Sequence, residues 1–504
     1  MNKILLLSTS FEDISLVTAS HGKKKGVKTG DDTSHYPLGI AYLHSYLEKD
    51  GYQVKSLFLN NHEFSYCLKK IKITLDVFKP DFVGLQILTP NRISSFDTVE
   101  YLHKNHPNIK IIIGGIHTTV LYESILKKYP YVIAVLGEGE ITLSKLLNEL
   151  DKNQPDLNMI AGIAFANESN EIIKTTGRAL IENLDELPFP KHEEFITPKS
   201  HAACIITSRG CPFNCSFCCL DKISQRRVRK RSVKNIIDEI LYIQKKLPNI
   251  KSVWIHDDTF FIDNRRVIEF CNEIIKNNIK LNFTCSGRLR PISEEMVKKM
   301  EEANFHKVLL GLESGNREIL KKCKKGIAPE DAVNAFRIFA DKKMAVLAFL
   351  IVGLPGETME TIKETGRLIQ KLQKIKYVYY PEDVAVLTIY PGTEVYEITK
   401  ASGKINDDFW FNDVPTPLFT LEHSQERLFR FKEVLLSYIS LNRLITPIGL
   451  IRQLSMIPTI TKYLKKNPST LKILFIKLAK RVMPNKIYSM LKNYYKSNCK
   501  HEKK

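Results

Sequence analysis

Three cysteines gathered into one short loop constrain this chain more than anything else in it. Cys211, Cys215 and Cys218 take the spacing C-x3-C-x2-C within Arg209-Gly210-Cys211-Pro212-Phe213-Asn214-Cys215-Ser216-Phe217-Cys218-Cys219. Glycine and proline mark the stretch as a tight turn. The apolar run just before it, residues 202–206, reads as a buried strand. A strand that opens into such a loop can present three thiolates to one face of an iron–sulfur cube. A [4Fe-4S] cluster held by three cysteines keeps its fourth iron open. The alternatives are a zinc knuckle, with Cys219 as a further ligand, or a set of buried thiols.

Downstream of the loop, strand-like runs cover residues 253–260, 282–288, 307–315, 345–354 and 384–393. With the strand before the cysteines they make six, each separated by a helix-length segment. Ser232 is placed to cap the first of those helices. Six such units predict a partial (β/α)6 barrel with its active site at the carboxyl ends of the strands. Those ends carry Asp257, Arg288, the run Gly311-Leu312-Glu313-Ser314 and the run Gly353-Leu354-Pro355-Gly356. A carboxylate such as Glu313 suits an ammonium or ribose hydroxyls, and an arginine such as Arg288 suits a carboxylate. Asp257 and Asp258 could equally cap a helix or hold a divalent ion.

The cysteine spacing, with Phe217 ahead of the last cysteine, resembles the hallmark of the radical S-adenosylmethionine (radical SAM) superfamily, and the downstream runs match its pattern in order. The resemblance implies that the open iron is chelated by the methionine end of S-adenosylmethionine. One-electron reduction then releases a 5'-deoxyadenosyl radical. It further implies that Gly311, Glu313 and Ser314 contact the bound S-adenosylmethionine and that Gly353, Pro355 and Gly356 lie near its adenosine. Arg288 and Asp257 would face cofactor or substrate.

Ahead of the barrel, residues 1–185 alternate nearly continuous apolar strands (3–8, 51–58, 81–86, 110–115, 132–137) with helical patterns. That is a Rossmann-like parallel sheet covered on both faces. Its strand ends carry Gly114-Gly115-Ile116-His117-Thr118-Thr119 and Gly137-Glu138-Gly139-Glu140. Glycines there admit close approach of a large ligand. This part resembles the cobalamin-binding domain fused to one branch of the radical SAM superfamily. Contacts to cobalamin are implied at Gly114, Gly115, His117, Thr118, Gly137 and Glu138. One departure stands out: the motif Asp-x-His-x-x-Gly, source of the lower cobalt ligand in many such domains, is absent around His35. The alternative reading of His117 is a helix-capping or loop histidine, and that of the glycines an ordinary strand turn.

A proline-marked linker, residues 186–200, joins this domain to a barrel spanning 201–400. Residues 401–504 read as a basic helical region. Its first helix, 422–439, could cap the barrel or close over substrate. The chain of 504 residues carries a net charge of +20, yet from Asn442 onward there are fifteen Lys/Arg and a single acidic residue. The rest is only mildly basic, so a nucleic-acid-binding surface is not indicated. Basic amphipathic segments at 448–457 and 471–483 suit either an anionic membrane surface or a helical subdomain with lysines in water.

Ten sparse cysteines are no disulfide framework, so the expected setting is reducing and cytoplasmic, with peripheral contact at the inner membrane face as an option. No apolar run reaches membrane-spanning length. The resemblance implies a cobalamin-dependent radical SAM enzyme, foremost a C-methyltransferase acting on an unactivated carbon. A cyclase, rearrangement or oxidation enzyme with the same cofactors is the second reading, and a non-catalytic cobalamin or redox sensor the third. The implied partners are a one-electron reductant such as flavodoxin or ferredoxin and an unidentified small-molecule or lipid substrate.

Overall fold

The computed structural model describes residues 2–11, 36–380, 384–413 and 419–443. The segments 448–457 and 471–483 lie outside the described residues, as does His35.

In the first domain the central strand is β1 (Lys3–Ser8). Its alternating side chains split between two cores: Leu5 and Leu7 enter one layer, Ile4 and Leu6 the other. A strand buried on both faces needs such a continuous apolar run. Around it lie β2 (Gln53–Phe58), β3 (Phe82–Gln86), β4 (Lys110–Gly114) and β5 (Ile133–Val135), in the order β2-β1-β3-β4-β5 and all parallel. Chain order reverses at β1, which opens a crevice beyond the strands' carboxyl ends. A hairpin of β6 (Ile163–Ala166) and β7 (Ile172–Lys174) extends the edge antiparallel. The sequence reading did not foresee that pair.

The second sheet runs β8 (Ala202–Ile205), β11 (Ser252–Ile255), β12 (Asn282–Gly287), β13 (Phe305–Glu313), β14 (Ala345–Val352) and β15 (Val378–Tyr379), neighbour to neighbour and parallel. The sixth position is shared: β16 (Ala385–Val386) pairs with the carboxyl half of β14, while β15 pairs with its amino half. A small ribbon of β9 (Ser208–Arg209) and β10 (Arg229–Lys230) flanks the cysteine loop. Val253, Phe283, Val308, Leu310, Val346 and Leu350 face an outer layer of helices and form the largest core. Those helices start at side-chain caps, among them Ser232, Ser293 and Thr358, each accepting an otherwise unpaired backbone N–H.

One expectation is narrowed here. The helix after the barrel, Gln425–Arg443, packs Leu428, Phe431, Leu435 and Ile439 onto that outer core beside the helix Met359–Leu372. It covers the convex side, and just ahead of it Glu422 accepts from Gly356 N–H at 2.7 Å, so the segment also touches the turn after β14. The 186–200 segment is anchored by one of its own side chains. His192 is fully buried, with Nε2 2.8 Å from Glu239 Oε1 and Nδ1 beside the Tyr36 hydroxyl, so it joins the first domain, the connecting segment and the barrel. Among the described residues no helix is long and apolar enough to cross a membrane.

Candidate functional site

The cysteine loop is held from three sides. Gly210 sits at φ +98, and a Cβ there would lie 2.0 Å from the Arg227 carbonyl oxygen, so only glycine can enter the loop this way. Its N–H donates to Asp258 at 2.8 Å. Farther along, Ser216 N–H donates to the Cys323 carbonyl at 3.0 Å, and Val395 N–H donates to the Ser216 carbonyl at 3.1 Å. Among the described residues no three His, Cys, Asp or Glu side chains converge on one metal ion. A four-iron cube asks for thiolates set farther apart than one zinc ion does.

Arg288 reaches into this loop from the end of β12. Its Nη1 lies 3.4 Å from Cys215 Sγ, and its guanidinium stacks 3.7 Å from the centre of the Phe213 ring. Arg288 is buried, and its Nη2 has no hydrogen-bond partner. A buried guanidinium with an unused donor calls for an anion. Across the mouth, Glu313 adopts φ +59 at a bulge between β13 and β14. Its Oε1 is 2.7 Å from Lys325 Nζ, with both side chains over nine-tenths buried. A Cβ on Gly311 would come within 2.3 Å of Glu313 Oε1 and 2.8 Å of Lys325 Nζ. The glycine thus makes room for the ion pair.

Other predicted residues are committed elsewhere. Asp257 accepts from the N–H and hydroxyl groups of both Thr207 and Ser208. Both its oxygens fix the strand-to-loop turn that leads into the cysteine loop. Ser314 is fully buried, 3.3 Å from the Thr365 hydroxyl, and accepts from Asn316 N–H. Gly353 and Gly356 have positive φ; a Cβ would strike Leu428 at the first and Lys322 at the second. The Gly353–Gly356 turn, with Pro355 inside it, is closed by Glu357, which accepts from Gly353 N–H at 2.5 Å.

At the first domain's strand ends lies a cleft of about 280 Å3, lined by Gly39, Gly84, Gly114, Gly115, Gly137 and Gly139 with Leu6, Gln86 and Arg209 among its walls. The glycines interrupt an otherwise largely apolar lining that includes Leu38, Ile40, Leu43 and Leu143, and Gln86 Oε1 is a buried acceptor with no partner. This suits a flat ring that brings its own donor. Gly115 is also needed locally: at φ +97 a Cβ would stand 2.6 Å from the Ile87 carbonyl.

His117 is not in that cleft. It is 1% exposed, with Nδ1 3.1 Å from Thr89 Oγ1, its ring edge-on to Trp410 and its Nε2 without a partner. Burial, with the Arg92 charge behind it, pushes its pKa down to about 3, so it is a neutral core residue. Thr118 is buried too, donating to the Gly114 carbonyl at 3.1 Å. Glu138 does line the cleft, but its carboxylate is spent on Arg209, Arg229 and the Ile181 N–H.

Comparison with known proteins bears on these two sites. Residues 205–369 match the family model of the radical SAM superfamily, and residues 26–147 match that of the B12 binding domain. An uncharacterized methyltransferase of Pyrococcus horikoshii is 30% identical over 395 residues, 77% of this chain and 83% of that protein. The chain belongs to the radical SAM enzymes that carry a B12-binding domain. An anaerobic magnesium-protoporphyrin IX monomethyl ester cyclase of Rubrivivax gelatinosus is 30% identical over 66% of this chain and 61% of its own length. In fold, the chain is similar to the cobalamin-dependent radical enzyme OxsB (TM-score 0.68, 17% identity, 99% of this chain and 75% of that one). It is similar also to the radical methyltransferase TsrM of Kitasatospora setae (TM-score 0.63, 16% identity, 80% and 77%).

The cofactors of this B12-binding radical SAM family are a [4Fe-4S] cluster, S-adenosylmethionine and cobalamin, and the residues present fit them. The unused Arg288 donor and the Glu313–Lys325 pair suit a zwitterionic ligand beside the cysteines, and the glycine-lined cleft suits a planar group. Sequence reasoning missed Lys325, Gln86 and Arg209. Only Arg209 had a readable signal, since it adjoins the cysteine loop. The other two are marked by burial and partners, which a sequence does not display.

Proposed function

We propose that the protein is a cobalamin-dependent radical SAM methyltransferase acting on an unactivated carbon. The observation that carries this reading is the adjacency of the two sites: Arg209, two residues before Cys211, is also a wall of the glycine-lined cleft. When bound, the cluster with S-adenosylmethionine supplies a radical that abstracts hydrogen, and cobalamin supplies a methyl carrier. The protein's own contribution is placement. Cys211, Cys215 and Cys218 would hold the cluster. Arg288 would pair with the carboxylate of S-adenosylmethionine, and Glu313, held in place by Lys325, would meet its ammonium. Gln86 and the cleft glycines would seat the cobalamin side.

Identity to the cyclase favours a second reading, in which the same cofactors end in ring closure or oxidation. The two part on one product. Under anaerobic reduction, methyl transfer releases S-adenosylhomocysteine in amounts that depend on added cobalamin, beside 5'-deoxyadenosine. Release of 5'-deoxyadenosine with no cobalamin-dependent S-adenosylhomocysteine would overturn the methyltransferase reading in favour of the second. A flavodoxin- or ferredoxin-type donor is the expected source of the electron.

A further inference from the structure

Strand alternation decides what the barrel shows to its interior. On β13 and β14 the residues Val308, Leu310, Val346, Ala348 and Leu350 pack under the outer helices. Their neighbours Lys307, Leu309, Gly311, Leu347 and Phe349 therefore face inward. Parallel register arranges the inward residues in rows: Ser286 beside Leu309, Leu347 and Tyr379, and Gly311 beside Phe349. The second row fixes a location. The missing Cβ of Gly311 points at Glu313 and Lys325, so Phe349 stands one strand away on the same face as that ion pair.

Phe349 is 40% exposed and Tyr379 51% exposed, while Leu309 and Leu347 are only half-buried. Single exposed apolar residues on a convex surface need no explanation. A contiguous set on the concave side of a sheet, beside buried charged groups, does. The adjoining strand β12 is different in kind: it offers Ser286 and Thr284, the latter with its Oγ1 buried and without a hydrogen-bond partner. Beyond Lys307, whose ammonium lies 5.5 Å from the Trp254 ring centre, the interior thus has an apolar wall on β13–β15 and a hydroxyl-bearing wall on β12.

We infer that the substrate is a small molecule with a hydrocarbon body that packs on Leu309, Leu347 and Phe349, its polar group turned toward Ser286. Phe349 is then a specificity-determining residue. This rests on reading the barrel interior as the reaction chamber, and it matches a reaction at an unactivated carbon, the kind a hydrocarbon wall holds in place.

The test is fluorescence titration of the full chain with dansyl-undecanoic acid, using dansylglycine as the probe that lacks the hydrocarbon. The long-chain probe is expected to bind saturably at one site, and dansylglycine far more weakly. Phe349→Asp and Leu347→Ser should each weaken the long-chain probe by about tenfold or more. Phe349→Leu should restore most of the binding, and Val77→Asp, on an exposed helix face elsewhere, should leave it unchanged. Absence of saturable binding, equal binding of the two probes, or interior variants that bind like the parent would overturn the inference. The readout needs neither cobalamin nor S-adenosylmethionine cleavage, so its failure is distinct from failure of the methyltransferase reading.

Discussion

Glu138 joins the two cofactor regions: one carboxylate oxygen accepts from Arg209 at 3.0 Å and the other from Arg229 at 2.7 Å. Arg209 is bound again by Glu140 at 2.6 Å. The turn that closes the first domain's cleft therefore grips the residue two places before Cys211. Burial alone would raise the pKa of Glu138, but the Arg229 hydrogen bond and the Arg209 charge outweigh it and hold the group below the usual value.

Removing that carboxylate should be costly. Glu138→Ala costs the buried Arg229 its carboxylate partner, while Arg209 keeps Glu140, with an expected loss of about 3 kcal/mol in denaturant unfolding. The double variant Glu138→Ala/Arg209→Ala should lose less than the sum of the singles, a coupling on the order of 1 kcal/mol or more. Strict additivity would mean the pair is a surface contact only.

Lys325 should act through Glu313. Lys325→Met leaves a buried carboxylate uncompensated, and S-adenosylmethionine binding is expected to weaken by about 10–100-fold. Iron content should hold and Lys325→Arg should recover much of the affinity. Equilibrium dialysis of the reconstituted protein reads this directly. Unchanged affinity would remove Lys325 from the site.

Glu357 sets a pH dependence of opposite sign to Glu138. Burial raises its carboxyl from 4.5 to about 8. Below 4.5 both folded and unfolded forms are protonated. Between 4.5 and about 8 the unfolded chain ionises and the folded one does not, so stability falls as pH rises through that window, then levels off. Glu357→Gln should flatten this fall, which is worth on the order of a few kcal/mol. Denaturation midpoints from pH 5 to pH 9 would show it.

The architecture was largely legible because long apolar strands and glycine-marked strand ends are local signals. Strands β1–β5, β8 and β11–β14 lie where the sequence placed them. The commitments of polar side chains were not legible. Asp257, Ser314, Glu138 and His117 sit at strand ends as anticipated, but hydrogen bonds to partners between 43 and 91 residues away for three of them spend their polar groups, and Trp410 seals the histidine. Such pairings depend on tertiary contacts that no local pattern encodes. The β6–β7 hairpin is short, at four and three residues, too brief for periodicity to register.

The most direct test of the account is cobalamin binding itself. The full chain would be reconstituted anaerobically with iron, sulfide and cobalamin, desalted, and assayed for both metals. Gly114→Leu serves as the paired variant, because a Cβ there meets only ordinary contacts while a larger side chain would fill the cleft. The account predicts cobalamin at about one per chain in the parent, a loss of most of it in the variant, and equal iron in both. A loaded cluster beside an empty first domain would contradict it.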